Sequence, residues 1–139
     1  MLKSLTLAFT GDGPDLVAGG VVLRALGQGL SVLVCPLDDD GAVFRQLQRI
    51  NLPGRLSVWP CPGVLRRWLT RLSGATTAGE WDMIVLQPVE RLLAEDLGGE
   101  LAALLRARPP GLHVVLAGRG NPGALLDEAD LVTCFERRK

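Results

Sequence analysis

Short apolar runs of strand length alternate along this chain with segments whose apolar residues recur at helical spacing, and Gly/Pro clusters separate the two kinds. Ser31-Val32-Leu33-Val34-Cys35 is apolar on both of its faces, which is the signature of a strand covered on both sides. Such strands alternating with helices form a parallel sheet, because each crossover helix returns the chain to the same edge direction. The pattern therefore predicts a three-layer α/β fold, with a mainly parallel sheet of five to six strands and helices on both faces. Strands are expected over Ser4–Thr10, Ser31–Cys35, Leu56–Trp59, Met83–Leu86, His113–Ala117 and Leu131–Phe135. Helices are expected over Asp15–Leu26, Ala42–Ile50, Val64–Leu72, Glu90–Arg108 with a break near Gly98-Gly99, and Pro122–Ala129, with a linker over Ser73–Glu80.

The 139 residues suit a single domain spanning 1–139. The 15 Lys+Arg and 15 Asp+Glu cancel, which speaks against the basic footprint of a nucleic-acid-binding domain. Three cysteines, Cys35, Cys61 and Cys134, show neither a disulfide framework nor zinc-ligand spacing, so no metal site is expected. Cys35 and Cys134 read as small core residues. The N-terminal residues lack a signal peptide's uninterrupted apolar region, and the longest apolar stretch, Leu16–Leu26, carries Arg24 and is too short to span a bilayer. The expectation is a cytoplasmic protein with no membrane partner.

Parallel sheets of this type hold ligands at the carboxyl ends of their strands, here the loops after Thr10, Leu37, Leu86 and Ala117. The first loop, Thr10-Gly11-Asp12-Gly13, joins a strand to a helix in the layout of a phosphate-binding loop, where glycines let backbone N–H groups converge on an anion. A working loop also needs a Lys for the outer phosphates and a hydroxyl for Mg²⁺. Counted from Gly11 or from Thr10, both registers place aliphatic residues there: Leu16 or Val17 at the Lys position, and Val17 or Ala18 at the hydroxyl. Asp15, in the first helical turn, favours the helix by about 0.3–1 kcal/mol and repels a polyanion.

Three segments in series resemble the P-loop ATP:corrinoid adenosyltransferases. They are Phe9-Thr10-Gly11-Asp12-Gly13 followed by Leu23-Arg24-Ala25-Leu26-Gly27-Gln28-Gly29; Arg106 to Pro109 with Leu112 to Arg119 and Pro122; and Ala129-Asp130-Leu131-Val132-Thr133. The resemblance implies a RecA-like P-loop fold, ATP and Mg²⁺ on the first loop, adenosyl transfer to a reduced corrinoid, and a homodimer. Thr10, Gly11, Asp12, Gly13 and Arg119 match the family's nucleotide-binding positions. In the register set by the family loop, Leu16 stands for the phosphate Lys and Val17 for the Mg²⁺ hydroxyl. The acidic pair that ends the fourth strand is replaced by Gln87-Pro88, and a basic loop after the second strand by Asp38-Asp39-Asp40.

These departures remove the metal and phosphate electrostatics on which such sites depend. The expected protein is a degenerate relative serving as a binding, regulatory or structural domain, with no catalytic residue and no cofactor. Two alternatives stay open: an adenosyltransferase using ATP and Mg, or a Mg-independent nucleotide- or anion-binding protein retaining Thr10–Gly13 and Arg119. Asp15, Leu16, Val17, Gln87 and Pro88 either fill the vacated pocket or make a patch for a protein partner or second copy; no residue indicates a bound corrinoid. Leu65, Trp68, Leu69 and Leu72 form one apolar helical stripe, with Arg66, Arg67 and Arg71 off it. A partner surface there requires Trp68 to face outward. The helix from Asp15 reads as apolar all round and buried, with Gly19 and Gly20 retained for close packing. His113 reads as core or strand edge, and Asp38–Asp40 as a solvated loop.

Overall fold

The computed structural model describes residues 6–11, 14–37, 41–61, 64–118 and 130–135. Within them the apolar runs form β1 (Thr6–Gly11), β2 (Ser31–Pro36), β3 (Arg55–Val58), β4 (Met83–Gln87), β5 (His113–Ala117) and β6 (Leu131–Phe135). Between them lie α1 (Pro14–Gly27), α2 (Ala42–Leu47), α3 (Leu65–Thr77), α4 (Glu90–Ala94) and α5 (Gly98–Ala107). The strands make one sheet in the order β3-β2-β4-β5-β1-β6, and every pairing is parallel. Mixed α/β architecture with β5 inserted between β1 and β4 is that of a RecA-like P-loop fold.

Strand alternation sends Leu33, Cys35, Ile84, Leu86, Val114 and Leu116 to one face of the sheet, where they meet the leucines of α3, α4 and α5. Val32, Val34, Val85 and Val115 face the other way, onto Ala18, Val22, Ala25 and Leu26 of α1 and Phe44 of α2. The first face is leucine-rich and deep; the second is built from smaller side chains.

Two helices end differently from the sequence expectation. The residues expected to begin a linker at Ser73 continue α3 to Thr77, because the buried stripe of Leu65, Trp68, Leu69 and Leu72 carries on to Thr76. Burial of one more turn outweighs the weak helix propensity of Gly74 and the threonines. The Glu90–Arg108 segment, expected to break near Gly98-Gly99, does divide into α4 and α5, but the turn is made earlier, at Asp96. Asp96 takes a left-handed conformation, φ 58°, while Leu97 N–H donates to Leu92 O and Asp96 N–H to Leu93 O. That pair of bonds is a Schellman stop, and Leu92 and Leu97 are both buried. The break therefore falls just ahead of Gly98-Gly99.

Helix α1 corrects two further expectations. It buries a single stripe, Ala18, Val22, Ala25 and Leu26, while Leu23 is 41% exposed, so it is not apolar-buried all round. A Cβ on Gly19 or Gly20 would meet nothing within 4 Å, so close packing does not explain either glycine. Trp68 is buried, which removes the partner surface that needed it outside. The expected helix Pro122–Ala129, the Asp38–Asp40 loop and the first residues of the expected Ser4–Thr10 strand lie outside the described residues.

Candidate functional site

The carboxyl ends of β1, β5 and β4 lie side by side. Phe9 of β1 pairs with Ala117 of β5, and Leu86 of β4 with Leu116, so Thr10, Gly118 and Gln87 follow directly on these paired ends. Two strand spacings, about 10 Å, separate the ends of β1 and β4 across β5. Thr10 and Gly11 are the last residues of β1, and Pro14 opens α1, a position where its missing N–H costs the helix nothing. Asp15, Leu16 and Val17 follow as the next residues of α1. The positions where a phosphate Lys and a metal-binding hydroxyl would stand are thus helical, and both are aliphatic. Asp12, Gly13 and Arg119 lie outside the described residues.

At the end of β4, Gln87 pairs with Pro36, and its carbonyl accepts a hydrogen bond from Leu37 N–H at 2.8 Å. Its side chain is buried, and the Gln87–Pro88 peptide is cis. The chain then closes onto the neighbouring strand, with Val89 N–H donating to Ala117 O at 2.9 Å. Gln87 and Pro88, singled out separately from Thr10 and Gly11 in the sequence, therefore share one rim with them.

The sequence reading missed Glu90. It is half-buried in the first turn of α4, and its Oε2 occupies the space a Cβ on Gly118 would need; that Cβ would also lie 2.9 Å from Val89 Cγ1. Glycine at 118 is what lets the start of α4 approach the end of β5. Among the described residues of this rim, Glu90 carries a carboxylate, three positions beyond the strand end. In the sequence it looks like an ordinary acid at a helix start, favourable to the dipole. Only the β4–β5 pairing reveals its neighbour.

A magnesium ion prefers carboxylate oxygens and keeps several waters. The side chains at the end of β4 are an amide and a proline ring, the latter with no ligand atom, and they do not fit that ion. Nor does the N-terminal turn of α1 supply a cation to balance a triphosphate. Among the described residues, the groups at this rim offer little to a polyanion.

The other sequence candidates sit in ordinary places. Cys35 is fully buried; burial pushes its thiol well above the usual range, and nearby Cys61 adds to the shift. Burial also raises Cys61, opposed by Arg91 and assisted by Glu95. Neither thiol is an activated nucleophile. His113 begins β5, half-buried, at the opposite end of the sheet from the rim. Among the described residues no helix is long and apolar enough to cross a membrane.

A sequence model described as ATP:corrinoid adenosyltransferase BtuR/CobO/CobP matches residues 64–139. The match takes in α3, β4, α4, α5, β5 and β6, and so includes Gln87, Pro88, Glu90 and Gly118. A protein of Nostoc sp. (strain PCC 7120 / SAG 25.82 / UTEX 2576) called "Uncharacterized protein all2391" is 29% identical over 155 aligned positions, which cover 87% of this chain. The same alignment covers 40% of that relative, so the chain spans well under half of its length.

Proposed function

The chain belongs to the ATP:corrinoid adenosyltransferase family, and we propose that within it this protein is a catalytically degenerate member, a binding, regulatory or structural domain without ATP–Mg chemistry. The observation that carries this reading is the end of β4, where a buried Gln87 and the ring of Pro88 stand in place of an acidic pair. An amide cannot supply the charge a magnesium ion draws from a carboxylate. Leu16 and Val17 in α1 support the same reading from the other side of β5. Metal and phosphate contacts provide most of the transition-state stabilisation in nucleotide chemistry, so losing them together abolishes turnover rather than tuning it. A homodimer or a distinct protein partner fits such a binding, regulatory or structural role, and both are part of the proposal.

Glu90 favours a second reading, an ATP:cob(I)alamin adenosyltransferase whose acidic group has moved along the chain. One experiment separates the two. Calorimetric titration with ATP, with and without Mg²⁺, is expected to give no metal-dependent binding; micromolar binding that requires Mg²⁺ overturns the degenerate reading. An anaerobic assay with reduced cobalamin and ATP, followed by loss of the reduced-cobalt absorbance, then reports whether the bound nucleotide reacts. A nucleotide bound equally well without Mg²⁺ and left unreacted marks the Thr10–Gly13 loop as a simple anion site.

A further inference from the structure

We propose that the outer edge of β3 is a docking surface for an extended acidic segment of a partner protein, gripped by two arginines that tryptophan rings hold in place. The proposal goes beyond the reading above, because it involves no nucleotide and lies away from the β1–β4 rim.

The charge distribution points to this edge first. Between Gly41 and Gly79 the chain carries six of its 15 basic residues and none of its 15 acidic ones. A neutral protein thus concentrates positive charge on α2, β3 and α3. Arg66 is spoken for, donating to Glu100 at 2.6 Å. Arg49, Arg55, Arg67 and Arg71 are exposed.

On the α3 side of the sheet, side chains from β3 to the start of β4 are arranged as a ladder, with Trp59 and Trp81 packed against the core. Arg55 opens β3 and Trp59 directly follows its last residue, Val58, with its N–H still donating to Val34 O of β2. The Arg55 guanidinium lies over the Trp81 ring, 5.0 Å from its centroid. Trp81 and Trp59 meet edge to face at 6.2 Å and 83°. The Arg71 guanidinium, from α3, lies 5.2 Å from the Trp59 centroid. Stacking fixes each planar guanidinium while leaving its N–H fork available, the geometry suited to bidentate carboxylate recognition. Trp and Arg are also the residues that most often anchor interfaces.

The backbone adds the reason for an extended polypeptide. β3 is the terminal strand of the sheet and pairs only with β2 among the described residues. Arg55 and Trp59 turn their N–H groups toward β2, donating to Leu30 O and Val34 O, so the intervening Leu56 and Val58 groups point outward. Gln48 reaches one of them, donating to Leu56 O at 3.0 Å. An incoming strand meets an edge capped by Gln48 at Leu56 O and would pair through the remaining outward groups of Leu56 and Val58, with positive charge beside them. Single-stranded nucleic acid fits less well: it needs parallel aromatic faces for its bases, whereas these two indoles meet at 83° and each carries an arginine.

The test uses the whole chain and a synthetic peptide alternating glutamate with threonine. Trp59 and Trp81 are two of the three tryptophans, so indole fluorescence reports on the edge directly. Saturable binding that weakens with salt is expected, and the same peptide with glutamine for glutamate should not bind. The Arg55→Gln, Arg71→Gln double variant is expected to bind about tenfold more weakly, the scale of a lost interface anchor, while Arg106→Gln on α5 stays unchanged. If the glutamine pair does not fold, Arg55→Lys with Arg71→Lys carries the test, since it keeps the charge and removes the planar fork; unaltered affinity there counts against the proposal. Absence of binding, indifference to the glutamine pair, or tighter binding of oligothymidylate through the same arginines would each overturn it.

Discussion

The rim at the end of β4 and the outer edge at β3 lie two strands apart in the same sheet, yet they have opposite character. At the rim a position suited to charge holds a buried amide and a proline, flanked by fully buried Leu86 and nearly buried Val89. At the edge an arginine-only stretch meets two half-buried indoles and exposed guanidiniums. The difference teaches where interaction energy can still be found. A low-dielectric pocket makes charges powerful, but only where partners for them exist. An exposed edge makes them weak singly and useful together, for recognition rather than chemistry.

The largest effect that could break this contrast is packing at the rim. Leu86 is wholly buried, and Leu86→Ala should cost about 2–5 kcal/mol of stability, read from urea denaturation midpoints. A loss well under 1 kcal/mol would mean that the sheet centre is not the rigid region described. Next comes Gln87→Glu, which buries a carboxyl group of nearly the same shape. Its cost at neutral pH should be about 1–3 kcal/mol. Burial raises the folded-state pKa of such a group, so the deficit should be small below the ordinary carboxylate range and grow as pH rises through it. A deficit independent of pH would place that side chain in water, and relief by Mg²⁺ would show a metal-competent rim and count against the proposed function.

The edge should respond less. Arg55→Gln and Arg71→Gln each remove one guanidinium–indole contact at an exposed site and should lower stability by no more than about 0.5–1 kcal/mol. A loss of several kcal/mol would make the ladder structural rather than a recognition device. The smallest effect belongs to the exposed Arg66–Glu100 pair. The Arg66 guanidinium holds the Glu100 carboxyl below its usual range. Its contribution is therefore present at neutral pH and disappears as acid brings the pH through that lowered value. Glu100→Gln should leave the melting temperature at pH 7 almost unmoved, and high salt should erase what difference there is.

Much of the architecture was legible because period and punctuation are local properties. β2, β4, β5 and β6 fall within a residue of the expected runs, and the α3 stripe of Leu65, Trp68, Leu69 and Leu72 is buried as its spacing requires. The stop in the Glu90–Arg108 segment was anticipated near the glycines, but Asp96, not Gly98, takes the left-handed turn. Propensity alone does not foresee an aspartate there, since buried Leu92 and Leu97 decide where the helix must turn. Gln87 and Pro88 could be read as departures from an acidic pair without coordinates. Glu90 could not, because its relation to Gly118 exists only through the pairing of β4 with β5, whose partners, such as Met83 and His113, are 30 residues apart in the chain. Gly19 and Gly20 are the plainest miss: their neighbourhood is open, and nothing in the structure explains them.

By itself, then, the order of residues determined the layered parallel fold, the family, and the lack of a lysine and acidic pair at the β1–β4 rim, since each depends on residue type at fixed spacing. Only the folded chain decided that Trp59 and Trp81 hold arginines beside β3, and that Glu90 lies against Gly118. Those outcomes follow from which face each strand and helix turns toward its neighbours, and that choice is made by packing of segments far apart in the chain.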